Sequence, residues 1–143
     1  MAATDNRRIV FTGAAGGIGT MIRPLLAARY PGLVLSDRVT PKDLGPGETF
    51  VAADLAKPDE VAALVAGADA VLHFGGHSVE GPWETILQAN IAGCYNVFEA
   101  ARAAGVKRIV FASSNHAMGF YPRKRRIGTN LTVRPDSRYG VSK

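Results

Sequence analysis

Tyr139 and Lys143, in "YGVSK", stand four residues apart. On a helix that spacing sets one side chain above the other. An ammonium beside a phenol favours the phenolate and draws the group's pKa from about 10 toward neutrality. Such a phenolate is a general base suited to an alcohol proton. The motif is short, so its weight rests on what lies upstream. "TGAAGGIG" places Gly13, Gly16 and Gly19 at regular spacing between an apolar run and a helical one. The first permits a tight turn, the second lets backbone approach a pyrophosphate, and the third lets helix and strand pack closely. Ala15, Gly17 and Ile18 complete that turn, and the helix N-terminus offers its N–H groups to phosphates.

Asp37 follows Gly13 by 24 residues, where a carboxylate accepts hydrogen bonds from an adenosine ribose diol and repels a 2′-phosphate. Arg38 next to it favours the opposite preference. The acid is expected to dominate, giving NAD over NADP. Asp54 and Leu55 close a third apolar run, where an adenine amino group would find an acceptor; capping the next helix is the plainer alternative. In "HFGG", Phe74, Gly75 and Gly76 let the chain pass close to a cofactor.

These residues need elements that bring strand ends together. Apolar, β-rich runs predict strands over 7–12, 33–37, 49–54, 69–74 and 107–113. Helices are predicted from the glycine turn to Arg29, over 58–67 and 83–104, and opening at Pro135 and Asp136. Pro24 should cost the first helix a hydrogen bond or kink it. Leu87, Ile91, Cys94, Phe98 and Ala101 form one stripe at helical spacing. Asn90 sits on that stripe and, once buried, needs partners. Alternating strands and helices argue for an α/β, Rossmann-like, doubly wound parallel sheet of about five strands with helices on both faces. Ligands then bind at the carboxyl ends of the strands, where the named sites converge.

The composition agrees with one domain over 1–143. Hydrophobic residues make up 47% and charged residues 20%, which describes a globular chain rather than a disordered one. A lone Cys94 excludes an internal disulfide and fits a reducing, cytoplasmic setting. The first apolar stretch breaks at Gly13, too soon for a signal peptide or membrane span. Much of the net charge of +5 sits in Arg123 to Arg126. No aromatic interleaving or nucleic-acid motif accompanies that cluster, so neither nucleic acid nor membrane is expected as a partner. No metal site is assigned.

Together, the glycine turn, Asp37 and "YGVSK" resemble the short-chain dehydrogenase/reductase superfamily in its extended, epimerase-like branch. "HFGGHSVEGPWETILQANIAGCYNVFEAAR", "FASSNHAMGFYP" and "RPDSRYGVSK" are similar to uronate dehydrogenases, which oxidise hexuronates at C1 with NAD. The resemblance implies catalytic roles for Tyr139, Lys143, Ser114 and Asn90. It implies a sugar site at Ser78, Ser114, Asn115 and His116, and contacts from Asn90, Tyr139 and Lys143 to the cofactor. It implies a homo-oligomer in the complete enzyme. It also implies that a sixth strand, a seventh strand and a substrate-closing segment lie beyond Lys143, so this length of chain is expected to be impaired or inactive. A sugar-nucleotide epimerase or dehydratase, or a non-catalytic nucleotide-binding remnant, would share the fold and the cofactor site. His73 and His77 read as packing or surface residues before catalytic ones.

Overall fold

Five strands form in a computed structural model that describes residues 6–143. They are β1 (Ile9–Thr12), β2 (Leu33–Asp37), β3 (Thr49–Ala52), β4 (Ala70–His73) and β5 (Arg108–Phe111). Their order across the sheet is β3-β2-β1-β4-β5, and every pairing is parallel. The chain steps outward from β1 to β3 and then crosses to β4 on the other side. The direction therefore reverses between β1 and β4, where ligand crevices form in open α/β sheets. Register carries the carboxyl ends level, with Thr12 opposite both Ser36 and His73.

Strand alternation splits the core in two. Ile9, Phe11, Leu33 and Leu35 pack under α1 (Gly17–Arg29), against Ile22, Leu26 and Ala27. Val10, Val34 and Val71 face the other way, against Val61, Leu64 and Val65 of α2 (Pro58–Val65) and Val97 and Ala101 of a longer helix. The expected Rossmann-like, doubly wound sheet with helices on both faces is what forms. β3 and β5, within the strands expected over 49–54 and 107–113, are its edges. Val51 is 39% and Val110 46% exposed, because an edge strand lacks a neighbour on one side.

The helix expected over 83–104 is continuous but not uniform. It runs as α3 (Trp83–Ile86), a π-helical stretch Leu87–Ala92, and α4 (Gly93–Ala103). The wider π turn shifts the seam. Ile86, Asn90, Gly93, Val97 and Ala101 are the buried positions, whereas Phe98 of the expected stripe is 39% exposed. Asn90 and Ala101 are where the expected stripe put them, while Ile86, Gly93 and Val97 each lie one residue before the expected Leu87, Cys94 and Phe98. Gly93 belongs there for space, since a Cβ would sit 3.0 Å from Leu55 Cβ.

No helix joins β2 to β3. The connection is pinned by Arg23, 2% exposed on α1. Its Nη2 lies 3.1 Å from Asp43 Oδ1 and donates to the Asp43 carbonyl at 2.8 Å, and its Nε lies 3.0 Å from Glu48 Oε1. The Arg23 guanidinium holds the Asp43 carboxyl below the usual carboxylate range. Pro24 is accommodated on the exposed side of α1, which runs unbroken through it.

Candidate active site

Strand ends β1, β2 and β4 open onto one cleft of about 590 Å³. At its first end the glycines differ in role. Gly13 holds φ of 79°, and a Cβ there would meet the Phe74 carbonyl carbon at 2.6 Å. A Cβ on Gly19 would overlap the Gly13 carbonyl oxygen. By contrast, one on Gly16 meets only Gly13 O at 3.3 Å, and one on Gly17 meets nothing within 4 Å. The turn is thus closed against the sheet at Gly13 and Gly19 and open to the cleft at Gly16 and Gly17. No side chain caps α1, and its first turn carries no acid. Its N–H groups and positive dipole end are left for an anion.

Asp37 lies on the same wall and does more than the sequence suggested. Its Oδ2 accepts from Ala15 N at 3.0 Å and its Oδ1 from Arg38 N at 2.7 Å. The acid therefore braces the glycine turn as well as facing the cleft beside Arg38. Next to it Ser36 Oγ is buried and has no hydrogen-bond partner among the described residues. An orphaned hydroxyl on a cleft wall suits a polar ligand. Asp54 and Leu55 also line the cleft. Asp54 Oδ1 accepts from Ala56 N at 3.0 Å, an Asx turn rather than a cap, since α2 has Lys57 at its N-cap and no side-chain capping bond.

At the far end α5 (Arg138–Val141) carries Tyr139. Two side chains seat its start: Ser137 Oγ accepts from Gly140 N at 3.0 Å, and Glu80 Oε2 accepts from Tyr139 N at 2.8 Å. The expectation that Tyr139 and Lys143 share one helix is corrected, because α5 ends at Val141. Lys143 still returns to the tyrosine. Its Nζ lies 5.7 Å from the Tyr139 ring centre, 5.3 Å from that of Phe111, and donates to Ala112 O at 3.4 Å. Both rings stand within cation–π range. Burial holds the ammonium below its usual pKa, with Cys94 opposing.

Asn90, buried on the π-helical stretch, is fully engaged. It accepts from His77 N at 2.7 Å and donates to His77 O at 3.0 Å and to Ser142 Oγ at 2.8 Å. It ties the loop after β4 to the segment bearing Tyr139, and it does not line the cleft. Gly76, at φ of 133°, passes so close that a Cβ would lie 2.6 Å from Asn90 Oδ1. Ser78 and His77 line the cleft, as does Ser113. Ser114 sits one residue beyond and caps a short 3-10 turn, Asn115–Met118, by accepting from His116 N at 3.2 Å. Asn115 and His116 are exposed outside the cleft wall. Ser113, Glu80 and Ser36 were missed by sequence reasoning. Arg123 to Arg126 are exposed and form no part of this cleft.

His73 is a packing residue, as expected. It is 1% exposed, stacks on Phe111 at 5.5 Å, and places Nδ1 2.8 Å from Thr12 Oγ1, which also accepts from Gly75 N at 3.1 Å. Burial, and secondly the charge of Lys143, push its pKa from the usual 6.5 down to about 4. The folded state therefore resists protonation that the unfolded chain accepts. Stability should be full above pH 6.5, fall as pH drops, and lose about 3 kcal/mol from this group by pH 4. Urea midpoints across that range would show it. His73→Asn, which cannot titrate, should flatten the slope; an unchanged slope would assign it to other groups.

Such a sheet, reversed at a glycine turn and leading to a Tyr/Lys pair, defines the class of Rossmann-fold enzymes of the short-chain dehydrogenase type. Within it, residues 9–143 match the NAD dependent epimerase/dehydratase family, and the chain belongs to that family. It is 48% identical over 145 residues to a uronate dehydrogenase of Pseudomonas putida, covering 100% of this chain and 54% of that protein. Among solved structures, uronate dehydrogenase from Agrobacterium tumefaciens superposes with a TM-score of 0.90 at 51% identity, covering 95% of this chain and 51% of that one. UDP-glucose 4-epimerase from Thermus thermophilus, in complex with NAD, gives 0.82 at 30% identity, covering 95% and 47%. The chain spans about half the length of the relatives it matches.

Proposed function

We propose that residues 1–143 are the dinucleotide-binding domain of an NAD-dependent uronate dehydrogenase, acting on galacturonate or glucuronate at C1 to give an aldarolactone. One observation carries this reading: the glycine turn and the Tyr139/Lys143 pair open onto the same cleft. Gly16, Gly17 and the start of α1 would hold the pyrophosphate, Asp37 a ribose diol, and Leu55 with Asp54 the adenine. The open face at Gly16 and Gly17 and the unpartnered Ser36 hydroxyl fit such a group. NAD, when bound, supplies the hydride acceptor. Tyr139 takes the proton of the C1 hydroxyl, and Ser114 steadies the same oxygen. Lys143 keeps positive charge beside the Tyr139 ring and would bind the nicotinamide ribose. Asn90 holds the segment carrying both. The higher identity to uronate dehydrogenases supports this over a sugar-nucleotide epimerase.

Gly16→Val tests the cofactor half of the reading. Its Cβ would press only on Gly13 O, at 3.3 Å, so the fold should survive while the branched side chain fills the approach to the turn. NADH affinity, read by nucleotide fluorescence, should fall by at least about tenfold, or 1.4 kcal/mol. Unchanged affinity in the folded variant would remove the glycine turn from the binding site.

A further inference from the structure

Outside the cleft wall, His116, which the resemblance places at the sugar, is paired with Asp136, a residue given no part in the site so far. His116 Nδ1 lies 2.9 Å from Asp136 Oδ1 and 3.0 Å from Oδ2. An ionised carboxylate only accepts, so the hydrogen between them sits on Nδ1. The carboxylate form is the favoured one: the His116 bond first, and then the Ser137 hydroxyl, hold the Asp136 carboxyl below its usual pKa. The His116 ring meets the Tyr139 ring edge-on, with centres 5.6 Å apart at 71°. No hydrogen-bond partner of His116 Nε2 is found among the described residues.

We infer that Asp136 is a positioning residue, which locks His116 in the Nδ1–H tautomer and leaves Nε2 as a bare acceptor beside Tyr139. The choice of tautomer follows from the bond the other ring nitrogen makes. In that state His116 takes a hydrogen bond from a ligand hydroxyl and has none to give while neutral. This suits a polyol that presents an O–H next to the oxygen handled by Tyr139, and it rests on the uronate reading for that substrate class.

The surroundings leave the pair little freedom. His116 O accepts from Asp136 N at 3.3 Å, and Ser137 Oγ donates to Asp136 Oδ1 at 2.9 Å while accepting from Gly140 N. A Cβ on Gly140 would stand 2.5 Å from His116 O, and one on Gly119 would overlap the Asp136 carboxylate. Asp136 therefore joins the turn after β5 to the start of α5, so it sets both the ring's protonation pattern and its place against Tyr139.

The test is a long-range proton–nitrogen correlation spectrum of histidine side chains in this 143-residue chain at pH 8, with His116→Gln to assign the signals. His116 should show a protonated Nδ1 and a bare Nε2. Asp136→Ala should make Nε2–H the majority form, while Asp136→Asn, whose amide oxygen still accepts, should keep the parent pattern. A parent His116 protonated at Nε2 would overturn the inference by itself, whether or not the variants fold. An Ala variant that keeps the parent pattern would overturn it too, since a merely structural Asp136 would not move the tautomer. Failure of galacturonate oxidation in a chain extended past Lys143 that shows this tautomer would count against the proposed function and leave the inference standing.

Discussion

Tyr139→Phe is expected to lower galacturonate-dependent NADH formation by about 10²- to 10⁴-fold, the range for loss of a general base. The measurement belongs in whatever length of this protein turns galacturonate over. The ring itself has structural work: His116 packs on it at 5.6 Å and Lys143 Nζ stands 5.7 Å from its centre. Phe preserves both contacts and removes only the hydroxyl. NADH affinity should therefore stay nearly unchanged, and the loss should appear in kcat rather than in cofactor binding. Turnover within a few-fold of the parent would mean that another group takes the proton.

Gly13→Ala should be the most damaging small substitution for the fold. A side chain at φ of 79° is strained, and the new Cβ would be driven to 2.6 Å from Phe74 C and 2.7 Å from Gly75 N. Both obstacles are backbone and cannot swing aside. Strain and overpacking together should cost about 4 kcal/mol, at the severe end for a single change. Gly17→Ala is the control. It has nothing within 4 Å and lies in a helix, so it should raise stability by about 0.5–1 kcal/mol. Urea denaturation of the two variants checks the contrast. Equal effects would mean that the close crossing of β1's turn over the end of β4 does not matter.

These glycines also show how much was readable beforehand. The spacing of Gly13, Gly16 and Gly19 after an apolar run was enough to place a turn, a helix and a crevice, because backbone sterics leave few alternatives. Asp37 was readable for the same reason, from its position at a strand end. Its bond to Ala15 N was not, since nothing local couples residues 22 apart. Asn90 reads as part of the buried face and finds its three hydrogen bonds there. The π-helical stretch escaped notice because a stripe at uniform helical spacing puts Cys94 and Phe98 where Gly93 and Val97 are buried. In the sequence Glu80 carries no role of its own, and Asp136 reads only as part of a helix opening. Their partners, Tyr139 N and His116 Nδ1, lie 59 and 20 residues away and become neighbours only when the strands align.

The central claim is that one cofactor spans the cleft from the glycine turn to Tyr139 and Lys143. Amide chemical-shift mapping of the 143-residue chain tests it most directly, with ADP and NAD titrated separately. The account predicts that ADP shifts residues 13–19, 37–38 and 54–55 alone, and that NAD shifts those together with 75–78 and 139–143. NAD shifts confined to the glycine turn, or lying outside the cleft altogether, would contradict it.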